Sequence, residues 1–193
     1  GLIHMALIPT TILTGFLGAG KTTLLNRILQ EPHGFKIAVI ENEFGQENID
    51  NEILVQDGTE QIVEMNNGCI CCTVRGDLII ALTSLAQKRN AGELQFDHVV
   101  IETTGLANPG PVAQTFFVDE EVASEYLVDA IITVVDAKHA MHQLDSYEEA
   151  QRQVGFADKL LFSKTDLVSA DELKALTERI KRINPRAPIS TTN

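Results

Sequence analysis

Three short stretches carry residue types whose spacing can do chemistry. Gly15-Phe16-Leu17-Gly18-Ala19-Gly20-Lys21-Thr22 fits the pattern G-x-x-x-x-G-K-[ST]. Its glycines let the backbone curl, so that N–H groups from Gly15 through Gly18, Ala19, Gly20 and on to Thr23 face one concavity. A helix starting there adds its positive end, which together makes a phosphate cradle. In this reading Lys21 reaches the β- and γ-phosphates, and the Thr22 hydroxyl ligates Mg²⁺. The second stretch, Ser163-Lys164-Thr165-Asp166, is a variant of N-K-x-D. Asp166 can accept two hydrogen bonds from the edge of guanine, and adenine has no matching pair of donors. The stem of Lys164 would lie over the ring. Ser163 stands where Asn is usual, and a plain helix-leading turn is the competing reading.

The third stretch is Gly68-Cys69-Ile70-Cys71-Cys72, which holds all three cysteines of the chain. Three thiols so close can converge on a soft or borderline cation such as Zn²⁺. The spacing is not the C-x-x-C of a dithiol redox site, although redox chemistry and buried, inert thiols are the alternatives. A closed structural zinc site takes four protein ligands, so a site with three thiols suits transfer better than storage. Glu41 and Glu43 are candidate carboxylate partners. Glu102 and Gly105 follow an apolar run, placing an acid for the Mg²⁺ shell and an N–H for the γ-phosphate. His139 and His142, with Asp145 near, read as a solvent-facing helix face in preference to an accessory metal site.

These groups need a scaffold, and the apolar pattern supplies one. Strands are predicted at 10–14, 36–40, 98–101, 129–135, 159–162 and 188–190. Helices are predicted at 21–30, 77–89, 111–117, 147–156 and 171–183, the last starting after Ser169 or Ala170. Such alternation means a mostly parallel central sheet with helices on both faces, a three-layer α/β fold. Residues 42–72 break the rhythm and read as a long irregular loop after the second strand, with a hairpin signal in which 52–55 and 61–65 flank Gln56-Asp57-Gly58.

Composition narrows the function classes. The 193 residues include 15 Lys and Arg against 27 Asp and Glu, a net charge of −12, which argues against nucleic acid and anionic membranes as partners. No apolar run approaches the ~20 residues of a bilayer span. Nothing resembles a signal peptide, so a cytoplasmic protein is expected. Residues 1–5 read as a cloning remnant, with Met5 as the native start.

The blocks GFLGAGKTTLLNRIL, ENEFG, NNGCICCTVRGDL, VVIETTGLANPGPV, ITVVDA and SKTD together resemble the CobW family of P-loop GTPases, relatives of HypB and UreG. They span about residues 10–166 in the family's order. The resemblance implies a GTP-hydrolysing metallochaperone whose cycle of GTP and GDP, with Mg²⁺, drives metal delivery to a client metalloprotein or metalloenzyme. The cargo would be Zn²⁺, with Co²⁺, Ni²⁺ or Fe²⁺ as the other candidates. Glu41, Cys71 and the neighbouring thiols would hold it. The sequence departs from the family at Gln46, where Glu is common, with Glu47 next. The family's C-terminal domain lies outside these residues, which read as one GTPase domain. A second copy of the chain is a further candidate partner, and a nucleotide-stabilised metal sensor or store is the alternative function.

Overall fold

The computed structural model describes residues 7–16, 18–30, 34–42, 61–64, 68–74, 77–103 and 109–192. Strands β1 (Ile8–Gly15), β2 (Ile37–Asn42), β3 (Gln61–Glu64), β4 (Ile70–Val74), β5 (His98–Thr103), β6 (Tyr126–Asp136), β7 (Lys159–Ser163) and β8 (Ile189–Thr191) form one sheet. Their order is β3-β4-β2-β5-β1-β6-β7-β8. Every pairing is parallel except β3 on β4. Parallel strands buried on both faces read as continuous apolar runs, which is why KIAVI, HVVI and DAIITVV stood out.

Helices cover both faces. Leu25 of α1 (Lys21–Gln30), Leu144 of α5 (Ala140–Ser146), Val154 of α6 (Glu148–Gly155) and Ile180 of α7 (Ala170–Ile183) share one core with Leu13, Val39 and Val134. Leu82 and Leu85 of α2 (Leu78–Asn90), Phe116 of α3 (Pro109–Val118) and Val122 of α4 (Glu120–Glu125) share the other with Ile12, Ile40 and Ile101. Among the described residues no helix is long and apolar enough to cross a membrane.

Local chemistry sets several boundaries. Ser169 caps α7 in a reciprocal box: its Oγ accepts from Glu172 N at 3.1 Å and its N–H donates to Glu172 Oε1 at 3.3 Å. Helix α4 was not anticipated. Its cap is Asp119, whose Oδ1 accepts from Val122 N at 2.9 Å, in a segment too short for a period to show. Strand β6 begins at Tyr126, earlier than predicted, because a register shift against Thr10 and Thr11 of β1 lets Asp129 fall outside the ladder.

The stretch read as one irregular loop holds two strands in its described part. The flank at 61–65 is where β3 forms, whereas five-residue β4 is too short to outweigh the surrounding polar residues in a sequence pattern. The first flank of the hairpin signal and its turn near Asp57 lie outside the described residues.

Asn184 ties the end of α7 to α6. Its Nδ2 donates to the carbonyls of Val154 and Ala157, both at 2.8 Å, and its Oδ1 accepts from Arg186 N at 3.2 Å and Ala187 N at 3.1 Å. Removing that buried hub orphans several backbone groups. Asn184→Ala is therefore expected to lower stability by about 3 kcal/mol in urea unfolding, with an unchanged m value. A loss below about 1 kcal/mol would show that water replaces the side chain.

Candidate functional site

Parallel strands of an open α/β sheet bind ligands beyond their carboxyl ends. Gly15 ends β1, Glu41 nears the end of β2, Glu102 and Thr103 end β5, Asp136 ends β6 and Ser163 ends β7. The phosphate-loop pattern, the β5 acid and the base-reading motif thus meet on one edge of the sheet.

The loop after β1 folds as its glycines require. A Cβ on Gly15 would stand 2.6 Å from the carbonyl oxygen of Val134, so no side chain fits there. The next residue, Phe16, donates its N–H to that same oxygen at 3.0 Å, pinning the loop to β6. Gly20 has a φ of 95°, a region that L side chains rarely adopt, and α1 begins at the following residue. The result is a curled backbone leading straight into a helix N-terminus.

Lys21 is buried, and its Nζ donates to the Thr103 carbonyl at 2.9 Å. Burial lowers its pKa, and the Glu102 charge works in the opposite direction. Burial raises the pKa of Glu102; Lys21 draws it down and Glu41 pushes it up further. Glu41 and Glu102 are direct partners across β2 and β5, which explains their mutual repulsion. Thr22 and Thr23 are exposed on the first turn of α1.

Cys71 belongs to this neighbourhood. It sits opposite Val39, and Glu41, two residues further along β2, lies on the same face. Burial raises the pKa of its thiol, and the Glu41 and Glu102 charges raise it further. Glu102 therefore acts electrostatically on both the phosphate-loop lysine and this thiol.

The other two thiols depart from the expected trio. Successive residues of a strand face opposite sides of the sheet, so Cys72 points into the core with Ile40 and Leu82. Cys69 packs in the opposite core, at the far end of β4, with its Sγ 3.6 Å from the Phe35 carbonyl oxygen. Accordingly no group of three potential metal ligands forms among the described residues. Cys71 thus lies nearest Glu41, Cys69 shares the core on its side of the sheet, and Cys72 faces the other core. Glu43 and Gly105 lie outside the described residues.

On the base side, Ser163 is buried and donates Oγ–H to Val135 O at 3.4 Å. Lys164 adopts a left-handed conformation with φ 57° and ψ 31°, a strain of about 1 kcal/mol for a residue with a Cβ. Asp166 is exposed on the 3₁₀ turn Thr165–Leu167. A cleft of about 250 Å³ separates Ala19, Gly20, Thr23 and Leu24 from Ser163 and Lys164, with Arg27 and Thr192 completing its wall.

Sequence reasoning missed three contributors. Arg27 carries no motif signal, and Thr192 reaches the cleft only because β8 pairs with β7. Asp136 was legible: it ends an apolar strand as Glu102 does. Its buried carboxylate accepts from the backbone N–H groups of Lys138 and His139 at 2.9 and 3.2 Å, from His139 Nδ1 at 2.9 Å and from Lys164 Nζ at 3.0 Å. Burial opposes ionisation of Asp136, but these donors outweigh it and hold its pKa below the usual carboxylate range. His139 faces Asp136 and does not join His142 in a metal pair.

Residues 9–191 match the family described as CobW/HypB/UreG, nucleotide-binding domain. The chain is 52% identical over 184 residues to the zinc chaperone YjiA of Escherichia coli, an alignment covering 95% of this chain and 57% of that protein. It is 42% identical over 191 residues to the zinc-regulated GTPase metalloprotein activator 1 of Schizosaccharomyces pombe, covering 96% of this chain and 46% of that one. Its fold superposes on the crystal structure of Zn(II)-bound YjiA GTPase from E. coli with a TM-score of 0.81 at 48% identity, over 96% of this chain and 57% of the other. The chain thus spans about half the length of these relatives.

Proposed function

Since the chain belongs to the CobW/HypB/UreG nucleotide-binding family, we propose that it binds and hydrolyses GTP and uses that cycle to load and release a transition metal ion for a client metalloprotein. The observation that carries the reading is geometric: Lys21 of the phosphate loop donates to Thr103, next to Glu102, and the ladder partner of Glu102, Glu41, lies on the face of β2 that Cys71 shares. The relatives' names, zinc chaperone and zinc-regulated GTPase metalloprotein activator, support Zn²⁺ as the cargo and a metalloprotein as the recipient.

The chain's own residues divide the work. The curled backbone from Gly15 to Thr23 receives the phosphates, and Lys21 leaves the Thr103 carbonyl to meet the β- and γ-oxygens. Asp166 reads the base, and Ser163 and Lys164 wall its cleft. The Thr22 hydroxyl and the Glu102 carboxylate are hard oxygen donors at the carboxyl edge of the sheet, a set that fits Mg²⁺. Mg²⁺, when bound, neutralises charge on the phosphates. Gly105 would offer its N–H to the γ-phosphate.

For the cargo, Cys71 and Glu41 supply a thiolate and a carboxylate on one face. A cation there favours the deprotonated thiol, whose pKa the surrounding acids otherwise raise. Cys72 joins only if β4 itself rearranges, since it sits mid-strand and faces the other core. Cys69 and Glu43 complete the candidate ligand set. Phosphates that draw Lys21 away from the Thr103 carbonyl change the charge facing Glu102, and so the field at Cys71.

The test is a Zn²⁺ titration of the reduced protein against a chromophoric chelator, with GDP or a non-hydrolysable GTP analogue present. Zinc affinity is expected to differ about tenfold between the two nucleotide states. The difference should vanish in Cys71→Ser. Equal affinities in both states would overturn the coupling and favour a nucleotide-stabilised metal store.

A further inference from the structure

We propose that Asp136 and His139 are positioning residues for the base-binding cleft: they anchor Lys164 by its ammonium group, so that its aliphatic stem is already set as a wall of the cleft before nucleotide arrives. The inference rests on the guanine-nucleotide reading above and adds residues that the base-reading motif does not contain.

Topology brings the three groups together. Asp136 and Ser163 are register partners at the ends of β6 and β7, which places Lys164 beside the aspartate. The Asp136 side chain is only 1% exposed, yet its Oδ2 lies 3.0 Å from Lys164 Nζ. The same oxygen lies 2.9 Å from His139 Nδ1, and a carboxylate can only accept, so that ring nitrogen carries the hydrogen. Oδ1 is held separately by the Lys138 and His139 N–H groups. The carboxylate plane is therefore fixed, and Oδ2 is the oxygen that holds both His139 and Lys164.

Lys164 is fixed at both ends. Its backbone takes the left-handed conformation, the one residue other than glycine to do so among the described residues. Its Nζ lies on Asp136 and also near the phosphate loop, 4.0 Å from where a Cβ on Gly18 would stand. Lys164 borders the cleft that Ala19 and Gly20 also line. A lysine side chain left loose would have to be ordered by each incoming base, which weakens binding. One anchored beforehand does not.

A purely structural role for Asp136, capping the turn into α5, predicts something different. It would lower stability and weaken every ligand alike. The experiment compares binding of fluorescent GDP with binding of inorganic tripolyphosphate, which needs the loop but not the base cleft. Asp136→Asn should raise the Kd for GDP about tenfold and leave that for tripolyphosphate unchanged. His139→Ala should raise the GDP value about threefold. In a double-mutant cycle Asp136→Asn should add nothing once Lys164 is alanine. Additive effects, parallel weakening of both ligands, or an unchanged GDP affinity would overturn the proposal. If Asp136→Asn does not fold, the cycle of His139→Ala with Lys164→Ala decides, because His139 is half exposed. A wild-type protein that prefers ADP to GDP overturns the guanine reading alone, and the same cycles read with ADP still settle the positioning role.

Discussion

Lys21→Met is expected to abolish GTP turnover while leaving the fold intact. The side chain is buried, and burial works against its charge. Among the described residues its Nζ donates to the Thr103 carbonyl at 2.9 Å. Methionine keeps most of the stem and removes a desolvated ammonium, so folding stability should hold within about 1 kcal/mol. The nucleotide loses much more. An ammonium donating to two phosphate oxygens in a confined site contributes about 4 kcal/mol, which corresponds to about 10³-fold in kcat/KM. Phosphate release measured beside thermal unfolding separates the two effects. A loss of less than tenfold would show that Lys21 does not serve the transferred phosphate. An unfolded variant would show that the lysine holds β5 to α1 instead.

That separation of function from stability recurs at the nucleotide edge. Gly15 sits where a Cβ would meet a carbonyl oxygen, Lys164 adopts a strained backbone, and Lys21 and Glu102 are titratable groups held out of water. Each opposes local stability, and the two packed cores on either side of the sheet offset the cost. The edge is poised for a ligand with several negative charges, which would meet the loop N–H groups and Lys21 together.

What could be seen from sequence follows from range. The phosphate loop was visible because its chemistry is contiguous: glycine spacing, lysine and the amphipathic α1 all lie within residues 15–30. The alternation of apolar runs with helical patterns fixed the layers in the same way. Helix α7 was anticipated within a residue, since Ser169 and Glu172 cap it locally. Pairings between distant segments were not visible. The sequence spacing of Cys69, Cys71 and Cys72 suggested convergence, but their true relation depends on β4 lying beside β2, and strand alternation then divides them between faces. The Asp136 contact with Lys164 spans 28 residues and needs β6 and β7 in register. Glu41 and Glu102 were each named separately, yet only the β2–β5 ladder makes them neighbours.

Asp166→Asn should convert a guanine-selective site into one that prefers xanthine. Asp166 is exposed on a short turn, so the substitution carries no packing cost. A carboxylate accepts from both guanine donors, the ring N1–H and the exocyclic amino group. Asparagine offers one acceptor and one donor, so its amide N–H₂ opposes the guanine amino group. Losing two charge-assisted bonds of about 2 kcal/mol each raises the Kd for GTP about 10³-fold. Xanthine carries a carbonyl where guanine carries the amino group, and it pairs with the asparagine donor. XTP should therefore bind Asp166→Asn at least tenfold tighter than GTP does, with kcat at saturation close to that of the unaltered protein on GTP. ATP gains nothing, because adenine has no N1–H. Competition titrations with the three nucleotides give the answer directly. A rise of less than threefold in the GTP Kd would remove Asp166 from the base site and leave the cleft's selectivity to Arg27 and Thr192, the two lining residues that no motif announced.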